Sequence, residues 1–538
     1  MDSAKNLTSI SASRRREFDA AELEILWSRL IGIADECWRT ISRTAFSLLV
    51  AESYDFGCEI FDGTGNSLAH SPRSMPLFNL ALPLTVKSLL RHFPEGSLED
   101  GDVLVTNDPW LGAGHLPDVA LVTPIFVGNA LVSFVGSIVN CTDIGGSRDY
   151  KTVREIYEEG LQIPPLKLYS RGKANTDLLA IIKQNVRQPE IVLGDIAAQH
   201  AANELAKRRL REFLIEYELA ELSSLATTIQ DRSEMAMRKA ISAIPNGRYL
   251  YSIDFDSTDR VLTLPVAVCV SGDTVTVDWA GAPTQVEGPG VNCTLNYTTA
   301  HSAYALKCIL NPTSPANAGC YRPIRVTAPA GSILNCKYPA PVQQRSMTGW
   351  YCGPAIHGAL ASAVPDQVQA FTGLPIWLRA FGSDENDQAF DDYFCCSGGQ
   401  GASALRDGKS ALLFPTSAAN TSVELFEARV PILIERKELI NASGGDGRRR
   451  GGMGSAVTLR KLEAEGATNI VFQPAGMLVE PPGLLGGSAG CRGRAFLEER
   501  GERTDLSRDG GLITLQRPTQ GLILEASGGA GYGTPKDQ

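Results

Sequence analysis

Residues 107–126 read NDPWLGAGHLPDVALVTPIF, a turn-rich segment that runs directly into an apolar one. Glycine and proline punctuate its first half, whereas Val119 to Phe126 is a short, continuous apolar run of the kind that forms a buried strand. A loop that feeds a buried strand is where a rigid scaffold commonly presents reactive side chains. The stretch therefore predicts a β-containing body with a candidate site at the start of one strand.

His115 and Asp118 lie three residues apart in this stretch, with Pro117 stiffening the interval. Imidazole nitrogen and carboxylate oxygen are common ligands of zinc and manganese, so the two side chains could converge on one cation. The alternative is a local role, in which His115 caps the turn and Asp118 accepts from backbone amides. Spacing alone leaves both interpretations open.

Composition describes a globular protein that can bury a large core. The chain has 538 residues, of which 43% are hydrophobic and 20% charged, and its formal net charge is −10. The arginine runs Arg14–Arg16 and Arg448–Arg450 have no interleaved aromatics, so we expect no nucleic acid partner. No apolar stretch reaches the length of a membrane span, and the N-terminal residues lack the apolar core of a signal peptide. The twelve cysteines form no CxxC pair, which suits free thiols in the reducing cytoplasm.

Apolar spacing predicts the elements along the chain. Residues 20–51 have a helical period with a break, and β patterns follow near 58–62, 103–106, 119–126 and 131–140, with a helix near 83–93 between them. Residues 175–243 predict two or three long helices, with Pro189 and Gly194 as interruptions.

Beyond these helices the chain is richer in β patterns. Strands are predicted at 249–255, 261–270 and 274–279, with helices at 297–309 and 347–363. Short strands are predicted at 422–428 and 521–526. No Gly-Lys-Ser/Thr follows the glycine clusters at 444–454, 484–490 and 528–533, so they predict tight turns between strands and not phosphate-binding loops. We divide the chain into an N-terminal α/β part (1–174), a helical segment (175–245), a β-rich central part with helices (246–365) and a glycine-rich β part (366–538).

Several long motifs in order along the chain resemble the hydantoinase B/oxoprolinase family. This family includes the B subunits of N-methylhydantoinases, the C-terminal half of 5-oxoprolinase, and subunits of acetone- and acetophenone-type carboxylases. The resemblance implies an α+β fold, a large mixed body with β-rich central and C-terminal parts and a long helical segment around 175–245. The matching segments are 53–58, 108–118, 142–146, 160–165, 277–281, 317–324, 447–454 and 528–533.

The resemblance also implies a metal centre, with one departure. Asp55, His115 and Asp118 stand where the family has metal ligands. The family's fourth ligand is a histidine in a segment that usually reads His-His-x-Asp-x-Gly-Gly, whereas this chain has Asn140 and then Cys141 in place of the two histidines. An amide oxygen is a weaker donor than imidazole, and zinc sites rarely rely on one. The set would therefore favour Mn²⁺ or Mg²⁺ with water completing the shell, or would bind no metal tightly.

Residues near the four candidate ligands offer alternatives. Cys141 could replace the missing ligand only if the strand is bulged there, because consecutive strand side chains point to opposite faces. Asp143 could enter the shell or orient a ligand from outside it. The cofactor predicted on this basis is a divalent metal, Zn or Mn.

In the resembling lactam-hydrolysing systems, ATP is held by a partner A subunit, which phosphorylates the amide oxygen of the substrate, and the B subunit opens the ring with metal-bound water. Asp108 and Asp143 are the candidate general bases here, although Asp108 also suits an Asp-Pro turn. Arg345 could hold an anionic substrate or phosphate, or form a structural salt bridge. His301 and His357 are interpreted as packing residues.

The chain has no ATP-binding motif of its own, which predicts a hetero-oligomer with a hydantoinase A-like, ATP-binding subunit. Three functions remain open. The first is ATP-dependent hydrolysis of a cyclic amide such as a hydantoin, oxoproline or lactam. The second is a subunit of an acetone/acetophenone-type carboxylase that acts on a ketone. The third is a non-catalytic interaction subunit with a degenerate metal site, which the loss of histidine at position 140 favours.

Overall fold

A computed structural model describes residues 17–535 except 95, 258–259, 385–388, 417, 463–466 and 509. The Arg14–Arg16 run lies outside these residues. The chain folds as two compact units, each assembled from separated stretches. The first unit comprises 1–145, 161–243 and 311–324, and the second comprises 146–160, 244–310 and 325–538. The division into four sequential parts stays a prediction from composition.

The α-helices of the described residues are α1 (Ala20–Thr44), α2 (Leu48–Ala51), α3 (Pro76–His92), α4 (Thr176–Asn185), α5 (Pro189–Glu216), α6 (Ser223–Ser242), α7 (Leu295–Leu310), α8 (Ala318–Tyr321), α9 (Ser346–Gly349), α10 (Cys352–Leu360) and α11 (Val423–Glu427). Short 3₁₀ turns occur at Ile156–Glu158 and Pro365–Gln367. None of the described helices is both long enough and apolar enough to cross a bilayer.

The β-strands are β1 (Phe56–Asp62), β2 (Ser67–His70), β3 (Val103–Thr106), β4 (Asp118–Val127), β5 (Ala130–Asn140), β6 (Leu166–Ser170), β7 (Lys173–Ala174), β8 (Gly247–Ser257), β9 (Arg260–Ser271), β10 (Thr274–Asp278), β11 (Ile324–Thr327), β12 (Ile376–Ser383), β13 (Ala389–Cys396), β14 (Ile432–Leu439), β15 (Ser455–Lys461), β16 (Thr468–Phe472), β17 (Arg494–Glu499), β18 (Glu502–Asp505), β19 (Gly511–Leu515) and β20 (Gln520–Glu525). The α+β fold class predicted for the chain is confirmed.

The first unit is built on one sheet with the strand order β2-β1-β5-β4-β3-β6-β7. The interior strand β5 is buried along most of its length because helices cover both faces. Phe134 and Ile138 pack in one apolar core with Phe78 and Leu82 of α3. On the other face, Ser137 accepts a hydrogen bond from Gln199 of α5. This two-sided burial explains why β4 and β5 appear in the sequence as apolar runs and not as alternating patterns.

The second unit contains three sheets, ordered β11-β10-β9-β8, β13-β12-β16-β19 and β14-β15-β20-β17-β18. The last two sheets share one apolar core, to which both contribute inward-facing side chains such as Leu378, Phe394, Phe472, Val457 and Leu522. In several strands of these two sheets, every second residue is apolar and points into the shared core.

Most of the residues in the glycine clusters do not form tight turns, so that prediction was wrong for them. The exception is the turn at 484–487, where the Gly487 N–H donates to the Leu484 carbonyl at 3.1 Å. Elsewhere the backbones of the clusters run side by side, so that the N–H of Gly445 donates to the carbonyl of Gly529, and the N–H of Gly529 donates to the carbonyl of Gly452. A Cβ at Gly451 would lie 1.9 Å from the Gly529 carbonyl oxygen. Only glycine permits backbones to approach this closely, which is why the clusters recur in distant parts of the sequence.

Three further details differ from the sequence prediction. Residues 423–427 form the helix α11 and not a strand, because Ser422 caps its N-terminus by accepting from the Leu425 N–H. Gly194 does not interrupt α5, whereas Pro189 does begin it. The single helix expected at 347–363 is two helices, α9 and α10.

Candidate functional site at the ends of three strands

The predicted site residues of the first unit meet where β1 and β4 begin and β5 ends. Strand β5 lies between the other two, with Asp118 opposite Asn140 in the antiparallel β4–β5 register. The backbone N–H of Asn140 donates to the carbonyl of Asp55 at 3.1 Å, immediately before β1. His115 joins them from the preceding turn, since the Asp118 N–H donates to its carbonyl at 3.2 Å. We call Asp55, His115, Asp118 and Asn140 the strand-end cluster.

The side chains of the strand-end cluster form two hydrogen-bonded pairs. His115 Nε2 and Asp118 Oδ1 are 2.9 Å apart, and the Asp118 side chain is fully buried while that of His115 is about a tenth exposed. Asn140 Nδ2 donates to Asp55 Oδ2 at 2.9 Å. The sequence prediction that these four residues lie together is therefore matched by their placement, although each carboxylate already accepts from a neighbour.

Asn107 fastens the loop that carries His115, a role the sequence did not indicate. Its Nδ2 donates to the carbonyls of Leu116 and Leu161 at 2.8 and 2.9 Å, and its Oδ1 accepts from the Ile163 N–H at 2.6 Å. Buried backbone groups need such partners when they lie outside regular structure. The partners at 161 and 163 are more than fifty residues away, so no local pattern could have revealed them.

Asp108 begins the loop as an Asp-Pro turn residue. Its Oδ1 accepts from the Trp110 N–H at 2.8 Å, and its backbone carbonyl accepts from the N–H of Gly112 at 2.9 Å. Burial raises the pKa of its carboxyl, although hydrogen bonds from Trp110 and Leu111 oppose that rise. Asp108 is half-buried. It therefore combines a turn role with a carboxyl that holds its proton more readily than that of a fully exposed aspartate.

Asp143 is tied to Arg187 and is not an exposed base. Its fully buried side chain forms an ion pair with Arg187 Nη1 at 2.9 Å and also accepts from the Arg187 backbone N–H. The N–H of Gly145 donates to the same carboxylate at 3.3 Å. The ion pair ties the segment that follows β5 to Arg187, so this geometry favours a positioning role for Asp143. The roles of Arg187 and Asn107 were not predicted from the sequence, because their partners are distant in the chain.

Cys141 does not take the place of the missing ligand. The β4–β5 register shifts between Ile125 and Phe126, at the opposite end of the pair, and the Cys141 N–H donates to the Pro117 carbonyl at 2.8 Å. Burial raises the pKa of its thiol well above the ordinary value, and the nearby carboxylates of Asp195 and Asp118 raise it further. The bulge that would let Cys141 replace the missing ligand is therefore absent at this end of the β4–β5 pair.

The strand-end cluster does not, as arranged, fit a metal centre of the expected type. Among the described residues, no group of three His, Cys, Asp or Glu side chains is placed to hold a metal ion. The imidazole and carboxylate groups face each other at hydrogen-bond distance, and Asp55 accepts from an amide. Binding of Zn or Mn here stays a prediction.

Arg345 belongs to the second unit, in a buried structural setting. Its guanidinium lies 4.6 Å from the ring centroid of Tyr297, and its backbone carbonyl accepts from the Cys293 thiol. Its charge also lowers the pKa of the buried Glu159, a weaker effect than the rise caused by burial. Substrate binding by Arg345 stays a prediction.

Residues 19–535 match the hydantoinase B/oxoprolinase family. The chain belongs to this family. Another member, the putative B subunit of a D-/L-hydantoinase from a Pseudomonas strain, is 29% identical over 97% of this chain and 91% of its own length. The crystal structure of the ATP-dependent caprolactamase from Pseudomonas jessenii has a TM-score of 0.86 at 25% identity, covering 96% of this chain and 92% of that one. An acetone carboxylase structure matches with a TM-score of 0.82 over 96% of this chain and 76% of its own, at 18% identity, which shows a shared fold alone.

Proposed function

We propose that this chain is the B-type subunit of an ATP-dependent enzyme that opens the ring of a cyclic amide, such as a hydantoin, an oxoproline or a lactam. The observation that carries the proposal is the near-complete structural likeness to the ATP-dependent caprolactamase, which covers almost all of both chains. The relative named as a hydantoinase component supports the same substrate class. The likeness to acetone carboxylase bears on the fold, so ketone carboxylation stays a secondary hypothesis.

ATP binding is assigned to a hydantoinase A-like partner subunit. This chain contains no phosphate-binding motif of its own, and its glycine clusters are occupied by backbone-to-backbone packing. The hydantoinase relative is itself named as one component of a larger enzyme, which supports a hetero-oligomer. The twelve cysteines are free thiols, which supports a reducing, cytoplasmic location.

Phosphorylation gives the reaction its driving force. An amide carbonyl is stabilised by resonance, so it resists attack by water until its oxygen is converted into a phosphate ester. Over the full reaction one water opens the amide and a second accounts for ATP hydrolysis. The carbon–nitrogen bond breaks, the ring nitrogen leaves as an amine, and ADP and phosphate are released.

We assign the carbonyl of the activated amide to the strand-end cluster. Asp108 is the proposed proton acceptor for the attacking water, because burial raises the pKa of its carboxyl and so makes the carboxylate a stronger base. Asp143 is proposed to act through Arg187, by fixing the segment that follows β5. Binding of Zn or Mn by Asp55, His115, Asp118 and Asn140 would require their two hydrogen-bonded pairs to open, and no chemical step is assigned to the metal.

The proposal is tested by co-expressing the chain with a hydantoinase A-like subunit and assaying the purified complex with hydantoin, 5-oxoproline and ε-caprolactam. We expect ring-opened product and phosphate in equal amounts, only with ATP and only with both subunits. Labelled bicarbonate with acetone or acetophenone forms the comparison arm. ATP-dependent incorporation of label into a ketone would favour the carboxylase, and ring opening by the chain alone without ATP would refute the proposal.

A further inference from the structure

The second unit contains a mostly apolar cavity beside α7 and α10. The space between its walls, including the mouth, is about 470 Å³. Side chains that line it include His301, Tyr304, Cys308, Trp350, His357 and Phe414. Among the described residues, no Asp, Glu, Lys or Arg contributes to this lining. A concave apolar site with a few polar groups is the usual form of a small-molecule binding pocket, and the lack of charged walls disfavours a charged ligand.

His301 offers unused hydrogen-bonding capacity at this cavity. The residue is 2% exposed, and its Nε2 has no hydrogen-bond partner within the described protein. Its ring meets Tyr297 edge to face, with centroids 4.6 Å apart. Burial, aided by the charge of Arg345, lowers its pKa to about 3, so the imidazole is neutral. A buried polar atom left without a partner is costly, and a bound ligand would relieve that cost.

His357 presents a hydrogen-bond donor. Its Nδ1 accepts from the Gln369 backbone N–H at 3.2 Å, and burial lowers its pKa to about 4. A neutral imidazole that accepts at Nδ1 must carry its proton on Nε2. His357 can therefore donate to a carbonyl oxygen, while His301 can pair with an N–H group. The two groups that an amide presents match these two imidazoles.

We propose that this cavity binds a neutral cyclic amide, with His357 donating to its carbonyl oxygen, His301 pairing with its N–H and apolar walls enclosing its ring. The zwitterionic amino acid that ring opening produces is excluded, because nothing in the wall would balance its charges. The proposed function assigns the activated amide to the strand-end cluster, so this cavity is a separate site for the neutral amide that has not been activated. Whether that amide is the substrate rests on the proposed function, whereas the binding itself does not.

Titration calorimetry on the full chain, without ATP or partner, tests the proposal with ε-caprolactam, 6-aminohexanoate and cyclohexanone. We expect caprolactam to bind, 6-aminohexanoate to show no binding, and cyclohexanone, which lacks the N–H, to bind about tenfold more weakly. No binding of caprolactam, or equal binding of the zwitterion, would overturn the proposal. If the chain binds caprolactam but the complex shows no ATP-dependent ring opening, only the proposed function is refuted.

Variants then locate the binding site. His357→Asn keeps an acceptor for the Gln369 N–H but removes the donor, and His301→Phe keeps the edge-to-face contact but removes Nε2. Each is expected to weaken caprolactam about tenfold. Gly353→Val fills the cavity, since a Cβ there meets only the Ala305 Cβ at 4.0 Å, and should abolish binding.

The matched control is Gly32→Val on α1, where a Cβ has no neighbour within 4 Å. This control should leave caprolactam affinity unchanged. If all three cavity variants fold, as judged by circular dichroism, and bind caprolactam like wild type, the ligand lies elsewhere and the proposal is wrong. Should Gly353→Val not fold, the two histidine variants decide the same question.

Discussion

Asn140 is held to Asp55 at two points. Its backbone N–H donates to the Asp55 carbonyl at 3.1 Å, and its side-chain Nδ2 donates to the Asp55 carboxylate at 2.9 Å. Asn140 stands where the family has a histidine ligand, and in this chain its side chain acts as a hydrogen-bond donor. The strand-end cluster thus has a neutral amide donor at the position where the resemblance implies an imidazole ligand.

Asn140→His is expected to raise the metal content of the purified chain toward one Zn or Mn per chain. Imidazole is a stronger ligand than an amide. Asp118 lies opposite position 140, Asp55 is hydrogen-bonded to it, and His115 is paired with Asp118. Elemental mass spectrometry after metal loading and desalting measures the change. Asn140→Ala is the control, because it removes the hydrogen bond to Asp55 without adding a ligand. A wild-type chain that already holds one metal, lost in Asp118→Ala, would show that the amide sustains a site.

Asp118→Ala is expected to reduce ATP-dependent ring opening by the complex about 100-fold or more. The buried carboxylate fixes the His115 ring at 2.9 Å, and a displaced group in a reaction site can cost that much. The rate of product formation is measured at saturating ATP. Glu190→Gln, an exposed carboxylate of the same unit, serves as the control for a lost charge. Unchanged turnover in Asp118→Ala would remove the strand-end cluster from the reaction.

The spacing of His115 and Asp118 indicated one half of the strand-end cluster, whereas Asp55 and Asn140 were predicted only from the resemblance to the family. In the structure, the antiparallel register of β4 and β5 places Asp118 opposite Asn140. Contacts between residues distant in the chain could not be predicted from the sequence. For example, no pattern near Asp143 indicates that it pairs with Arg187. Gly194 was misjudged for a related reason, since its missing Cβ accommodates the ring of Phe46, at 2.5 Å from where a Cβ would lie.

The glycine clusters show a second limit of pattern reading. Turns and closely packed extended backbones both require glycine, so composition alone does not separate them. The distinction lies in which distant segment each glycine faces, as Gly451 faces Gly529. Helix and strand positions were more accessible because hydrophobic spacing is recorded locally in each element.

Asn107→Ala is expected to lower the free energy of unfolding by about 1–3 kcal/mol and to reduce ring opening. The substitution leaves the Ile163 N–H and the carbonyls of Leu116 and Leu161 without their side-chain partner. Denaturation in urea and turnover of the complex measure the two effects. Asn107→Asp keeps the acceptor for Ile163 but turns a carboxylate oxygen toward the carbonyls of Leu116 and Leu161, so repulsion between acceptors should lower its stability at least as far as the alanine substitution does. Equal stability of all three proteins would contradict this account of the loop.

Glu159 gives the second unit a pH-dependent stability. The residue is 1% exposed, and its Oε1 accepts from the backbone N–H groups of Val342 and Gln343 at 2.7 and 2.8 Å. Burial raises its pKa from 4.5 to about 8, against the opposing effects of these hydrogen bonds and of Arg345. The folded state thus binds this proton more tightly than the unfolded state. Its contribution to stability is complete below pH 4.5 and is lost as the pH rises from 4.5 to about 8, at up to about 1.4 kcal/mol per pH unit.

Glu159→Gln keeps an acceptor for both backbone N–H groups and is neutral at every pH. Its melting temperature should match that of wild type near pH 4.5 and exceed it increasingly toward pH 8.5, by about 2 °C or more at the upper end. Differential scanning calorimetry at pH 4.5, 6.5 and 8.5 measures the difference. The exposed Glu287 provides the control, since Glu287→Gln should shift the melting temperature equally at all three values. A constant difference for Glu159→Gln would mean that the buried carboxyl ionises as it does in the unfolded chain, and the backbone N–H pair would then have to stabilise its charge.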